Sequence, residues 1–150
     1  MRHVIRQAAA IPFRVEPAGL RVLLITSRQT GRWVVPKGNI EKGFTAPQAA
    51  EQEAFEEAGI KGIIDRVPLG IYTYSKRMRS GRIKPASVEV FALQVIKQLK
   101  NWPEKGERRF EWMTPADAAL AVHETGLAAL FHRLHEMHGG DQPQPLPIAG

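Results

Sequence analysis

Apolar residues recur at alternate positions through most of the chain, which predicts strands, and at helical spacing in three places, which predicts helices. Residues 3–14 carry Val4, Ala8, Ala10 and Pro12 among small and apolar side chains and read as a first strand. Glu16-Pro17-Ala18-Gly19 reads as a turn. Leu20 to Thr26 (LRVLLIT) is strongly β-like and central to any sheet. A polar loop covers 27–31, and Trp33 to Pro36 is a short strand. Residues 61–74 predict a strand with a bend: Ile63 and Ile64 come first, then Val67, Leu69, Ile71 and Thr73 alternate. A basic loop (75–85), a strand (86–96), a second loop (97–106) and a last short strand (110–113) follow. Thr114-Pro115 announces a helix, with Thr as cap and Pro in the first turn, running to about Val122. Leu127, Leu130, Phe131 and Leu134 then mark an amphipathic helix. The pattern predicts one domain over 1–138 and a mobile Gly/Pro-rich tail over 139–150, with no internal repeat.

The remaining helix is the unusual one. Thr45 and Gln48 have the spacing of a capping box, and Gly59 is a natural stop. Between them Pro47, Ala50, Ala54 and Ala58 form an apolar face, and Glu53, Glu56 and Glu57 crowd the last turns beside it. A helix left to itself would avoid this. Carboxylates at a C-terminus oppose the macrodipole by roughly 0.3–1 kcal/mol each, and like charges four residues apart repel by roughly a further 0.2–0.5 kcal/mol. Either the cluster is a solvated acidic face or a cation neutralises it, and a hard divalent ion with oxygen ligands is the simplest candidate.

Upstream, Lys37-Gly38 follow the apolar run Trp33-Val34-Val35, so a strand runs through a glycine turn into this helix. The segment resembles the Nudix box: Gly, five residues, Glu, seven residues, then Arg-Glu-hydrophobic-x-Glu-Glu-x-Gly-hydrophobic. Gly38, Glu53, Ala54, Glu56, Glu57, Gly59 and Ile60 fall in register. Phe44 stands in place of the first Glu and Gln52 in place of the Arg, two residues that support the helix acids in the family. Losing both together leaves no lone charge behind. RWVVPKG, EEAGIKG and GERRFEWMTPADAA extend the resemblance over residues 4 to 135, and it is closest to the diphosphoinositol-polyphosphate and diadenosine-polyphosphate hydrolase branch.

That resemblance implies an α/β fold, an α/β/α sandwich with a mixed β-sheet, and metal-dependent hydrolysis of a pyrophosphate bond. Glu53 and Glu57 resemble the metal ligands of the box, with a main-chain carbonyl of Lys37 or Gly38 nearby. Glu56 would hold a second ion or act through water as base. Mg2+ is the expected cofactor, because phosphate and water can complete its octahedron, and Mn2+ is a substitute.

The composition narrows the partners. Among 150 residues, 21 Lys and Arg stand against 15 Asp and Glu, a net charge of +6, which favours an anionic partner or serves only solubility. The bases gather at Lys76, Arg77, Arg79, Arg82 and Lys84 and at Lys105, Arg108 and Arg109, away from the acids. Arg28, Lys37, Arg82, Lys84 and Arg109 are candidate substrate-binding residues, a clamp for a highly phosphorylated small molecule; an ordinary surface charge is the alternative for each. Ala46 and Ala49 either leave room beside the acids or serve helix propensity. Glu89 reads as an auxiliary metal ligand or a solvent-facing strand residue, with Glu104, Glu107 and Glu111 as alternatives for the first role. His132, His135 and His138 drift around their helix instead of sharing a face, which argues against zinc. Trp33 and Trp102 stack a base or pack the core.

With no cysteine there is no disulfide, thiolate metal site or catalytic thiol. The start reads as strand, not as a signal peptide, and no uncharged run matches a membrane span, so the cytosol is the expected compartment. No membrane and no stable nucleic-acid partner are expected, and the oligomeric state stays open. Two other classes fit the residues: a Nudix-fold binding or regulatory domain without catalysis, suggested by Phe44 and Gln52, and an RNA-binding module using the basic loop. Aromatic content of 7% without a base-stacking pattern argues against the second.

Overall fold

The structure, a computed structural model, describes residues 3–139. The expected tail lies outside the described residues except for Gly139. Eight strands and three helices follow in the order β1 (Ile5–Glu16), β2 (Gly19–Thr26), β3 (Trp33–Val34), β4 (Lys37–Asn39), α1 (Ala46–Ala58), β5 (Ile60–Ile64), β6 (Gly70–Arg77), β7 (Ile83–Gln98), β8 (Phe110–Met113), α2 (Pro115–Ala121) and α3 (Thr125–Met137).

All eight strands form one mixed sheet, with the central order β3-β2-β1-β7-β5. β1 and β7 run parallel from Ile5↔Ala86 to Phe13↔Gln94; the other pairings are antiparallel. β1 is paired on its other side first by β4 (Gln7 to Ala9) and then by β2 (Phe13 to Glu16). Pro12, which has no N–H for a ladder, falls in the gap between those two registers.

The period of two sorts the sheet into two cores. Ala9, Ile11, Phe13, Val22, Leu24, Val88 and Val90 join one cluster with Leu127, Leu130, Phe131 and Leu134 of α3 and Ala118 of α2. Ala8, Ala10, Leu23, Ile25, Phe91 and Leu93 join the other with Ala49, Ala50, Ala54 and Ala58 of α1. α1 therefore lies on one face and α2 and α3 on the other, the expected three-layer sandwich. On the α1 side β1 and the helix meet largely through alanines, so the helix packs close to the sheet. That short approach carries its acids to the strands.

The local signals of α1 hold. Thr45 accepts from the Gln48 amide, and the Gln48 side chain accepts from the Thr45 amide at 3.0 Å. Gly59 closes the helix in the left-handed conformation, φ 69°. Its missing side chain is also required by packing, because a methyl there would lie 2.6 Å from Cδ2 of Trp102. Trp102 is thus a lid on the helix end, the packing alternative of the two read from sequence.

Three expectations change. The glycine turn at Lys37-Gly38 is a short strand on β1. The single bent strand over 61–74 is two strands, β5 and β6, which pair with β7 one after the other. The basic loop is mostly a hairpin: β6 continues to Arg77, β7 starts at Ile83, and only the Met78 to Arg82 turn lies between them. Charge marked these residues as loop, but backbone pairing along β7 takes them into the sheet.

The β5–β7 register shifts between Lys61 and Gly62. A Cβ on Gly62 would overlap the Gln94 carbonyl oxygen and sit 2.8 Å from Cδ2 of Leu93. Backbone cannot swing aside as a side chain can, so Gly62→Ala is expected to destabilise the fold by about 3 kcal/mol. Urea denaturation would check this; a midpoint equal to wild type would refute it.

Candidate active site

The last turns of α1 place Glu53 half-buried and Glu57 buried, 5% exposed. Their carboxyl groups hydrogen-bond to each other. Two carboxylates cannot do this unless one carries a proton or a cation replaces it. Burial, and then the contact with Glu53, push the Glu57 carboxyl up to about 9, against the opposing pull of Arg108. Burial also raises Glu53. Both shifts favour the protonated form of the pair over two free carboxylates.

β4 supplies the wall behind the pair. The Lys37 amide donates to Oε2 of Glu57 at 3.2 Å. Gly38 lies directly under Glu53, and a Cβ there would be 2.5 Å from the Glu53 carboxyl carbon. Gly38 is therefore a close-approach glycine in a strand, where the sequence suggested a turn. The Lys37 side chain leaves on the opposite face, its ammonium 5.3 Å from the centre of the Tyr74 ring. Burial lowers its pKa, and it feels the charges of Glu57, Glu124, Lys76 and Arg108.

Glu56 stands apart from the pair. Its Oε1 accepts from the Gln52 amide at 2.9 Å, while its main-chain carbonyl accepts from the Glu104 amide at 3.0 Å. Among the described residues, no three His, Cys, Asp or Glu side chains converge to hold a metal ion. Two adjacent carboxyl groups, one buried and one half-buried, nevertheless offer hard oxygen donors that suit a small divalent cation, which takes most of its ligands from phosphate and water.

The remaining candidates are dispersed. Arg28 is exposed and held by Glu107 at 3.0 Å and Glu104 at 3.7 Å. Arg109 donates its amide to Thr26 Oγ1 at 2.9 Å and lays its guanidinium 5.6 Å from the Trp33 ring. Arg82 is exposed in the hairpin turn. Lys84 lines a separate cavity of about 400 Å³ with His3, Ser75, Ile83 and Pro85. Glu89 pairs with Arg6 at 3.3 Å. Ala49 borders a cavity of about 220 Å³ with Asn39, Glu41, Phe44, Gln52, Glu53 and Glu56.

Sequence reasoning passed over Arg108. Its side chain is 12% exposed and lies 3.3 Å from Glu57 and 3.2 Å from Glu104. It also donates to the Thr26 carbonyl at 3.1 Å. The acids at the helix end called for a positive partner, but nothing in one dimension separates Arg108 from Lys105 or Arg109.

A family model described as NUDIX domain matches residues 5–134. The chain belongs to the Nudix family. Its α1 with the preceding β4 carries the pattern that resembles the Nudix box. Nudix hydrolase 12, mitochondrial, of Arabidopsis thaliana is 36% identical over 104 residues, covering 66% of this chain and 50% of that one. The chain thus spans about half the length of that relative. Diphosphoinositol polyphosphate phosphohydrolase 2 of Rattus norvegicus is 32% identical over 133 residues, covering 86% of this chain and 70% of that one. A C. elegans Ap4A hydrolase shares the fold, with a TM-score of 0.65 at 20% identity over 90% of this chain and 98% of the other. Among the described residues, no helix is long and apolar enough to cross a membrane.

Proposed function

We propose that this Nudix domain, residues 1–138, is a metal-dependent pyrophosphohydrolase. It cleaves a phosphoanhydride bond in a small, highly phosphorylated substrate: a nucleoside diphosphate derivative, a diadenosine polyphosphate or an inositol pyrophosphate. Mg2+ serves it, with Mn2+ as substitute. The observation that carries this reading is the Glu53–Glu57 pair, half-buried and buried, packed on Gly38 at the end of the box helix. The inositol and diadenosine substrates are suggested by the names of a relative and a structural neighbour.

Glu53 and Glu57 would hold the ion, and Glu56 would hold a second one or act through water as base. A bound divalent ion would neutralise the anhydride and activate a water for in-line attack. The chain's own part is orientation. The Lys37 amide fixes Glu57, Gly38 lets Glu53 approach the strand, and packing on the sheet removes water from both. The basic hairpin is the proposed clamp for further phosphates, through Arg82 and Lys84, with Arg28, Lys37 and Arg109 as the other contacts.

The test is a panel of diadenosine polyphosphates, inositol pyrophosphates and nucleoside diphosphate derivatives with Mg2+ or Mn2+. Phosphate-containing products are expected from at least one, and EDTA should abolish them. No turnover anywhere on the panel would favour a binding or regulatory domain.

The pair also predicts a pH dependence. The folded pKa of Glu57 is raised from 4.5 to about 9, so the folded state retains a proton that the unfolded chain releases between those values. Its contribution to stability is complete below the unfolded pKa and is lost as pH rises through the folded one. A cation must displace that proton, which is easier at high pH. The thermal shift caused by Mg2+ should therefore be larger at about pH 9 than at about pH 6. A shift indifferent to pH would show that the ion does not bind this pair.

A further inference from the structure

We propose that Arg108 performs the task that position 52 has given up in this box: it supplies the counter-charge to the glutamate pair and holds Glu57 in its working orientation. The proposal rests on the reading of Glu53 and Glu57 as metal ligands.

Positions 44 and 52 contribute no charge to the pair. Phe44 is 44% exposed, and the Gln52 amide is engaged with Glu56. Both border the cavity of about 220 Å³, so nothing fills the space beside Glu53 on that side. Support comes from elsewhere, through a residue 51 positions from Glu57 in the loop before β8. The main chain around Arg108 is fixed first: Arg109 N–H donates to Thr26 Oγ1 at 2.9 Å, and Thr26 N–H donates to the Arg109 carbonyl at 3.0 Å. With the backbone locked, the guanidinium uses its whole fork. Nη1 donates to the Thr26 carbonyl at 3.1 Å, Nε and Nη2 to Glu104 Oε1 at 3.3 and 3.2 Å, and Nη2 lies 3.3 Å from Glu57 Oε1. Glu104 is in turn tied to the box helix by its amide, which donates to the Glu56 carbonyl.

A staple between loop and strand would need only Thr26 and Glu104. The reach to Glu57 places the charge on the acid itself. A planar fork at 12% exposure fixes direction as well as charge, which a lysine would not. Arg108 is a positioning residue in this scheme: it acts on the reaction through Glu57.

The experiment combines Mn2+ titration by electron paramagnetic resonance, without substrate, with steady-state kinetics on the best substrate of the panel. Arg108→Gln removes a positive charge next to the ion site, so Mn2+ alone should bind several-fold more tightly. At the same time kcat should fall on the order of 10- to 100-fold, because Glu57 loses its orientation. Arg108→Lys keeps the charge without the fork; its Mn2+ affinity should stay near wild type while kcat falls to an intermediate value. Opposed changes in affinity and turnover are not produced by a structural staple. Unchanged kcat and unchanged Mn2+ affinity in Arg108→Gln would overturn the proposal, and so would a rise in KM alone, which would make Arg108 a phosphate ligand. If Arg108→Gln does not fold, the Arg108→Lys split decides. If wild type turns over nothing on the panel, the hydrolase reading fails, and the Mn2+ titration decides the counter-charge role by itself.

Discussion

Glu57→Gln should reduce turnover by on the order of 10³-fold while leaving the fold intact and only slightly less stable near neutral pH. The two halves of this expectation have one cause. Burial and the contact with Glu53 favour the protonated form of Glu57, and a glutamine has the shape and charge of that form. Its amide oxygen can still accept from Lys37 N–H, and its NH2 can still donate to Glu53. With the oxygen in the place of Oε2, the NH2 takes that of Oε1, so only the contact with Arg108 is lost, at a cost of about 1 kcal/mol. What disappears is the ability to become an anion when a cation arrives. A loss of about 4 kcal/mol of transition-state stabilisation corresponds to the drop stated. The variant should also lack the increase in Mg2+ stabilisation with pH. Kinetics and thermal melts with and without Mg2+ give the answer, and a Glu57→Gln protein as active as wild type would remove Glu57 from the site.

Gly38→Ala should also separate function from folding, with turnover down by on the order of 10²-fold. The strand itself tolerates alanine: Gly38 pairs with Ala8 in an ordinary extended ladder and is not among the glycines with positive φ. The new methyl instead meets the Glu53 carboxyl, whose carbon would be 2.5 Å away. Glu53 is a flexible side chain, so it moves and the strand stays. A displacement of about 1 Å at a reacting group is enough for the loss expected. The contrast with Gly62 is instructive, because there the obstacle is backbone and the cost falls on stability. Measuring Tm and kcat on both variants would check the pairing; Gly38→Ala with wild-type kcat would show that Glu53 does not need the approach.

Much of the site could be read without coordinates because the box is local. Thr45, Gln48 and Gly59 fix where α1 begins and ends through bonds spanning three or four residues, and those bonds are present. Once the ends are set, Glu53 and Glu57 must share a side, and their conflict with helix electrostatics follows from spacing alone. The same locality misled at Lys37-Gly38. A glycine has several uses, and only the position of Glu53 fifteen residues on shows that this one makes room in a strand. The basic segment after Ser75 failed for a related reason: composition marks exposure, but its pairing is set by β7.

By itself the sequence determined the helix, its caps, its acid pair, the strand-rich order of elements and the family pattern, all through interactions between near neighbours. Tertiary structure decided three things: that Glu57 is buried, which raises its pKa, that Gly38 forms the wall behind Glu53, and that Arg108 reaches the pair from before β8. Each depends on contacts between residues far apart in the chain, and desolvation and charge pairing have no one-dimensional signature until the sheet brings those residues together.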